Sequence, residues 1–139
     1  MDENAARAAL ETAIRTQSPG FGTFFLARFL DLDISYGEDT CVVAMPVLDF
    51  MYNPQGSLHG GIIGMVLDIS MGHLLTHAVG VGMTLEMRTQ FLRPARTGTI
   101  RATASFLKKG RSINFLESRM ADADGKDMAF ATSTWQLLA

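Results

Sequence analysis

Cysteine is nearly absent from this chain. Cys41 is the only one in 139 residues. No intrachain disulfide can form, and a reducing compartment fits. An excess of cationic charge is missing too. Twelve Lys and Arg stand against 14 Asp and Glu, for a formal net charge of -2. That balance offers no basic face for nucleic acid. No run approaches the roughly 18 uninterrupted apolar residues of a bilayer-spanning helix. The opening residues, MDENAARAAL, are acidic and lack the basic-then-apolar order of a signal peptide. The expectation is a cytoplasmic protein with neither nucleic acid nor membrane as partner.

What is present reads as one globular domain over residues 1–139, since this length is that of a single domain. Hydrophobic residues make up 47% and charged residues 19%, which suits extensive burial. Residues 3–17 carry Ala6, Leu10, Ala13 and Ile14 at helical spacing, and Ser18-Pro19-Gly20 ends that helix within residues 1–19. Two extended segments, near Phe29–Tyr36 and Thr40–Val47, flank Gly37-Glu38-Asp39 as a hairpin. Asp49–Leu58 is a loop. A central helix over 57–78 follows, with Ser57 as the expected N-cap and Gly80 and Gly82 closing it.

The period then changes from 3.6 to 2. Met83, Leu85 and Met87 alternate with Thr84, Glu86 and Arg88. Ile100, Ala102, Ala104 and Phe106 alternate with Arg101, Thr103 and Ser105. Further strands are expected over Ser112–Ala121 and Asp127–Leu137. Short links between them suggest an antiparallel meander. The fold class is α+β: a curved antiparallel sheet around one apolar helix, with an additional helix at the N-terminus. One sheet covers only one side of that helix, so its other side must meet another surface.

Asp68 is the anomaly. It is the only charged residue between Leu58 and Leu75, in a segment that otherwise reads as buried. A carboxylate there is either paired or retained for chemistry. The same segment opens on His59-Gly60-Gly61, where helix-start N–H groups are free. A carboxylate and free amides together can attack an acyl carbonyl and hold the resulting oxyanion. Gly60, Gly64, Asp68 and Gly72 recur every four residues. Interior glycines cost about 1 kcal/mol each relative to Ala, so close packing or a ligand is expected at that stripe.

Asn53-Pro54-Gln55-Gly56-Ser57-Leu58-His59-Gly60-Gly61, followed by Val66-Leu67-Asp68, resembles the signature of the hotdog-fold thioesterases. The similarity is to the branch holding phenylacetate-pathway and related acyl-CoA thioesterases, within the 4-hydroxybenzoyl-CoA thioesterase superfamily. It continues through Met83–Pro94 and Phe106–Ser112 and spans roughly residues 20–137. The resemblance implies hydrolysis of an acyl- or aryl-CoA thioester to free acid and CoA. Asp68 matches the catalytic acid, as nucleophile or as the base that activates water. The Gly60 N–H would polarise the carbonyl. Asn53 and His59 match positions lining the site, and Thr84 matches a hydroxyl that orients water.

The turn Phe106–Ser112 gathers Lys108, Lys109 and Arg111 beside Ser112, a cluster that suits phosphates. By resemblance it lies near the nucleotide of coenzyme A, with Arg93 assisting. CoA would be part of the substrate, so no cofactor is expected. His73 and His77 stand at i, i+4, but nothing else in the sequence completes a metal site.

Gly60 and Asp68 are separated by about 12 Å of helical rise. A carbonyl at the Gly60 amide is therefore out of reach of Asp68 in the same helix. An antiparallel copy of the helix would complete the site, giving a two-fold homodimer with shared sites. The resemblance implies the same, and adds a dimer of dimers, a homotetramer. Two rival functions stay open: a hotdog acyl-thioester hydratase or dehydratase, and a non-catalytic acyl-CoA-binding protein.

Overall fold

The computed structural model describes all 139 residues. Helix α1 (Glu3–Thr16) begins where the Asp2 carboxylate accepts from the Ala5 N–H at 3.0 Å. It packs on a five-residue helix, α2 (Phe25–Phe29). The hairpin follows as β1 (Asp33–Gly37) and β2 (Thr40–Pro46). A 3-10 turn (Asp49–Met51) and a loop lead into α3 (Gly60–Ala78). The chain finishes with β3 (Gly82–Phe91), β4 (Thr99–Lys108), β5 (Ile113–Ala121) and β6 (Asp127–Leu137).

All six strands join one antiparallel sheet in the order β1-β2-β4-β5-β6-β3. Helix α3 touches β2, β3, β4, β5 and β6. Five strands at about 4.8 Å spacing are wider than a helix. Five adjacent strands of the one sheet thus pack on a single central helix, the arrangement of a sheet wrapped around it. The core is the interface between them. Val66, Leu67, Met71, Leu74 and Leu75 of α3 are fully buried against Val43, Met45, Ile100, Ala102, Leu116, Met120 and Ala131. Truncating one such residue, as in Leu74→Ala, costs about 2–5 kcal/mol. By length and composition α3 would pass for a bilayer span, but it is the helix at the centre of this core.

Four expectations need correction. The extended segment expected near Phe29–Tyr36 is shorter, since Phe29 ends α2 and β1 begins only at Asp33. Ala27 and Leu30, three residues apart, bury one face of that short turn. The central helix begins at Gly60, not 57 or 58. Ser57 is held by Asn53, Leu58 pairs with Tyr52, and His59 takes the N-cap. Gly80 closes α3, its N–H donating to the Leu75 carbonyl, whereas Gly82 opens β3.

The meander holds only for β4-β5-β6. Strand β3 pairs with β6 at the far edge, three strand spacings from β4. The seven-residue link 92–98 can span about 23 Å, against about 14 Å needed. A short link therefore did not require neighbouring strands. At that edge Met83 and Leu85 face outward, each 50% exposed, while Thr84 and Met87 turn toward the helix. A register shift between Thr84 and Glu86 re-aims the strand.

Candidate active site

The start of α3 is organised by backbone bookkeeping. His59 has extended dihedrals and caps the helix, its Nδ1 accepting from the Gly61 N–H at 2.8 Å. That bond puts the ring proton on Nε2. The His59 carbonyl accepts from Ile62 and Ile63. Of the N–H groups that a helix start leaves free, only that of Gly60 has no acceptor in the chain. Gly60 lines a cavity of about 310 Å³ with Asn53, Phe91 and Arg93.

Asn53 shapes the rim of that cavity. Its Oδ1 accepts from the Gln55 and Ser57 N–H groups at 3.0 and 3.2 Å, and its own N–H donates to the Ser57 carbonyl at 2.8 Å. The side chain is thus committed to holding the loop that delivers His59. His59 itself is exposed and acts as the cap.

Two turns along the helix, half-buried Asp68 lines a different cavity of about 420 Å³. Thr84 Oγ1 donates to Asp68 Oδ1 at 2.8 Å. Oδ2 has no partner, so one carboxylate oxygen is anchored and the other is free. Burial pushes the Asp68 pKa above the usual carboxylate range, with the Thr84 bond acting in the opposite direction. The carboxylate is therefore a stronger base than an exposed Asp. Thr84 reaches it because β3 lies at the sheet edge directly beside the glycine stripe of α3. A Cβ on Gly60 would meet Phe91 at 3.5 Å and one on Gly64 would meet Met87 at 3.9 Å.

The structure unites Asp68 with Thr84, and Gly60 with Asn53 and Arg93. It does not unite the two groups within one protomer. The cationic turn is elsewhere again. Lys109 bridges to Asp39 at 2.7 Å and sits 4.9 Å above the Phe106 ring. Lys108, Arg111 and Ser112 are exposed, and neither Lys108 nor Arg111 has a carboxylate partner. The turn is held from below by Asn114, whose Oδ1 accepts from the Gly110 N–H at 3.1 Å.

His73 and His77 serve packing. Tyr36 OH lies 3.0 Å from His73 Nδ1, and the Tyr36 ring stacks on His77 with centroids 4.1 Å apart. Burial holds the His73 pKa below its ordinary value, partly offset by the Phe21 carbonyl. Sequence reasoning missed Phe21, Phe24 and Trp135, which line the Asp68 cavity. The one clue was the chain's single Trp, placed on the inward phase of the last strand.

A model of the thioesterase superfamily matches residues 55–129. The chain belongs to the thioesterase superfamily. A candidate esterase of Saccharolobus solfataricus is 34% identical over 115 residues, 80% of this chain and 81% of that protein. The 1,4-dihydroxy-2-naphthoyl-CoA hydrolase of Escherichia coli is 28% identical over 105 residues, 73% of this chain and 77% of that protein. Among solved structures, a phenylacetic acid degradation-related candidate thioesterase from Ralstonia eutropha has a TM-score of 0.77 at 26% identity, covering 93% of this chain and 99% of that one. A Bacillus halodurans protein solved with CoA has a TM-score of 0.87 at 20% identity, covering 99% and 93%, a likeness of fold. The sheet-wrapped helix is thus the hotdog fold, and this superfamily member is a thioester hydrolase.

Proposed function

We propose that this thioesterase hydrolyses an acyl-CoA, with Asp68 as nucleophile or general base. The observation that carries the reading is the free Oδ2 of a half-buried carboxylate at a cavity, its other oxygen fixed by Thr84. In the nucleophilic route Oδ2 attacks the thioester carbon, the carbonyl pair moves to oxygen, and collapse expels CoA thiolate. Water then cleaves the resulting anhydride. In the base route Asp68 takes a proton from water, which attacks the same carbon. In either route the unpaired Gly60 N–H, at the positive end of α3, receives the oxyanion.

The two cavities do not share residues, and Asp68 stands about 12 Å of helical rise from Gly60. A site built across a two-fold axis reconciles them. Strand β3 supports that assembly. It is a ten-residue sheet edge with exposed Met83, Leu85 and Phe91, and long apolar edges invite pairing. A second copy laid along β3 brings an antiparallel α3 beside the first. Pairing of such dimers into a tetramer belongs to the same proposal. Lys108 and Arg111 are the exposed cations free to hold CoA phosphates, with Ser112 beside them. Arg93 would serve at the Gly60 cavity, and Lys109 would have to leave Asp39 to take part.

The test is free-thiol release from an acyl-CoA panel by wild type and Asp68→Asn. Wild type should release thiol, and the variant should lose roughly 10²–10⁴-fold in kcat. The variant should also melt higher at neutral pH. The folded-state pKa of Asp68 is raised, so between the unfolded value of 3.8 and the folded value the native state binds more protons. The Asp68 contribution to stability therefore falls as pH rises through that window, and Asn removes the cost. Wild-type turnover in the variant would remove Asp68 from the mechanism. Addition of water to an enoyl-CoA without thiol release would point to a hydratase, and binding without chemistry to a carrier.

A further inference from the structure

The Asp68 cavity has one wall bonded into the core and one that is not. On the bonded side, the Trp135 Nε1–H donates to Ser133 Oγ at 2.6 Å, and that hydroxyl donates to Met71 Sδ at 2.9 Å. The indole lies so close to α3 that a Cβ on Gly72 would stand 2.8 Å from its ring. The other wall is Pro19, Gly20, Phe21 and Phe24, from the segment joining α1 to α2. That segment lies outside the residues matched to the superfamily. Its backbone bonds close on itself. Ser18 N–H donates to the Thr23 carbonyl at 2.8 Å, and Thr23 N–H to the Gly20 carbonyl at 3.2 Å. The Ser18 and Thr23 hydroxyls are 2.6 Å apart. None of these bonds reaches α3 or the sheet. The polar tie to α3 is His73, which is 5% exposed. The Phe21 carbonyl acts on its ring, and the Phe21 ring meets it edge-on with centroids 5.9 Å apart. From the other side, Tyr36 OH of β1 lies 3.0 Å from His73 Nδ1. With Nδ1 turned to Tyr36, the Nε2–H is the donor left for the Phe21 carbonyl.

We propose that His73 is a positioning residue: it latches the loop of residues 18–24 over the Asp68 cavity, and this loop keeps water from the carboxylate. The proposal rests on the thioesterase reading above, in which Asp68 is nucleophile or base. A closed loop leaves the carboxylate poorly solvated and therefore a stronger base; an open one hydrates it and weakens it. The loop acts by desolvation alone, because Ser18–Phe24 carries no ionisable side chain. The other elements add no charge either. Thr84 of β3 and Trp135 of β6 are neutral, and Asp68 and His73 of α3 are the only titratable groups lining the cavity. Behind His73 stand Tyr36, which also feels Cys41, and His77, stacked on the Tyr36 ring.

The test is His73→Leu, which keeps apolar bulk and removes both ring nitrogens. With the best substrate of the acyl-CoA panel, the acid limb of kcat/KM should move to lower pH, toward the ordinary carboxylate range. Acrylamide quenching of Trp135, the chain's only Trp and the facing wall of the cavity, should rise as the loop opens. His73→Gln, whose amide N–H can reach the same carbonyl, should restore both readouts at least in part. If His73→Leu fails to fold, Phe21→Ala should give the same two changes, since Phe21 is 54% exposed and its ring is what meets His73. A fixed acid limb or unchanged quenching in a folded variant overturns the proposal, as does a Gln variant that behaves like Leu. Loss of the limb altogether would also overturn it, by making His73 itself the titrating group. Wild-type turnover by Asp68→Asn would instead sink the role of Asp68, while the quenching, which needs no turnover, still decides whether His73 holds the loop.

Discussion

Subunit complementation tests the shared site most severely. The two perturbations are Asp68→Asn and Gly60→Pro. Gly60 is the first residue of α3, with His59 as cap at φ -62 and ψ 132. Proline is favoured at a first helical position, and it demands an extended residue before it, which His59 already is. Gly60→Pro therefore removes one N–H, the one without an acceptor, at little structural cost. Nothing closer than Phe91 at 3.5 Å opposes a new Cβ. Each homodimer should be dead. A heterodimer contains one site with both parts intact and one with both lost. Doubly tagged, purified heterodimers should show about half of wild-type kcat, and an unsorted equal mixture about a quarter, if sites act independently. The assay is thiol release, after light scattering has shown that heterodimers assemble. Assembled heterodimers without activity, or an active monomer, would refute the two-fold site.

Other outcomes follow from particular contacts. Lys108→Ala with Arg111→Ala should raise KM for acyl-CoA roughly tenfold with little change in kcat, because in the proposed site these cations hold remote phosphates. A thioester lacking the nucleotide should show no such loss, and equal losses on both would reassign the turn. Thr84→Val removes a hydrogen bond that lowers the Asp68 pKa. Where Asp68 sets the acid limb of kcat/KM, that limb should move to higher pH in the variant; a fixed limb would mean another group titrates there. Gly64→Ala should favour helix by about 1 kcal/mol, since in one protomer its Cβ meets only Met87 at 3.9 Å. If a partner helix packs there, the same change should weaken the dimer instead, as sedimentation would report.

The sequence made α3 and Asp68 legible for the same reason. A long apolar segment with one carboxylate is physically odd, and an oddity of charge shows in the residue order alone. The Thr84 pairing was legible only through the motif, since a 16-residue separation carries no local signal. Alternation in β3 showed a strand but not which face meets the helix. Here the strand is an edge, Met83 and Leu85 turn out, and a bulge returns Met87 to the helix. Helix α2, at five residues, is too short for a 3.6 period to declare itself. The aromatic walls were invisible because Phe21 and Trp135 are 114 positions apart and meet only through packing on α3.

The glycine stripe ties these elements together. Gly72 is explained inside the protomer by the indole pressed against it, and Gly60 by its place as first residue and its unpaired N–H. Gly64, between them, has no such explanation, since its Cβ would meet nothing nearer than 3.9 Å. Each interior glycine weakens a helix by about 1 kcal/mol, and in the proposed two-fold assembly Gly64 is where a partner helix would pack. The same seam holds the free amide at one end, the free carboxylate oxygen at the other, and the unpaired edge of β3 beside both. One antiparallel neighbour along that seam would cover the edge and pack at Gly64. It would also bring each amide to the other chain's carboxylate, so three separate local deficits have a common remedy.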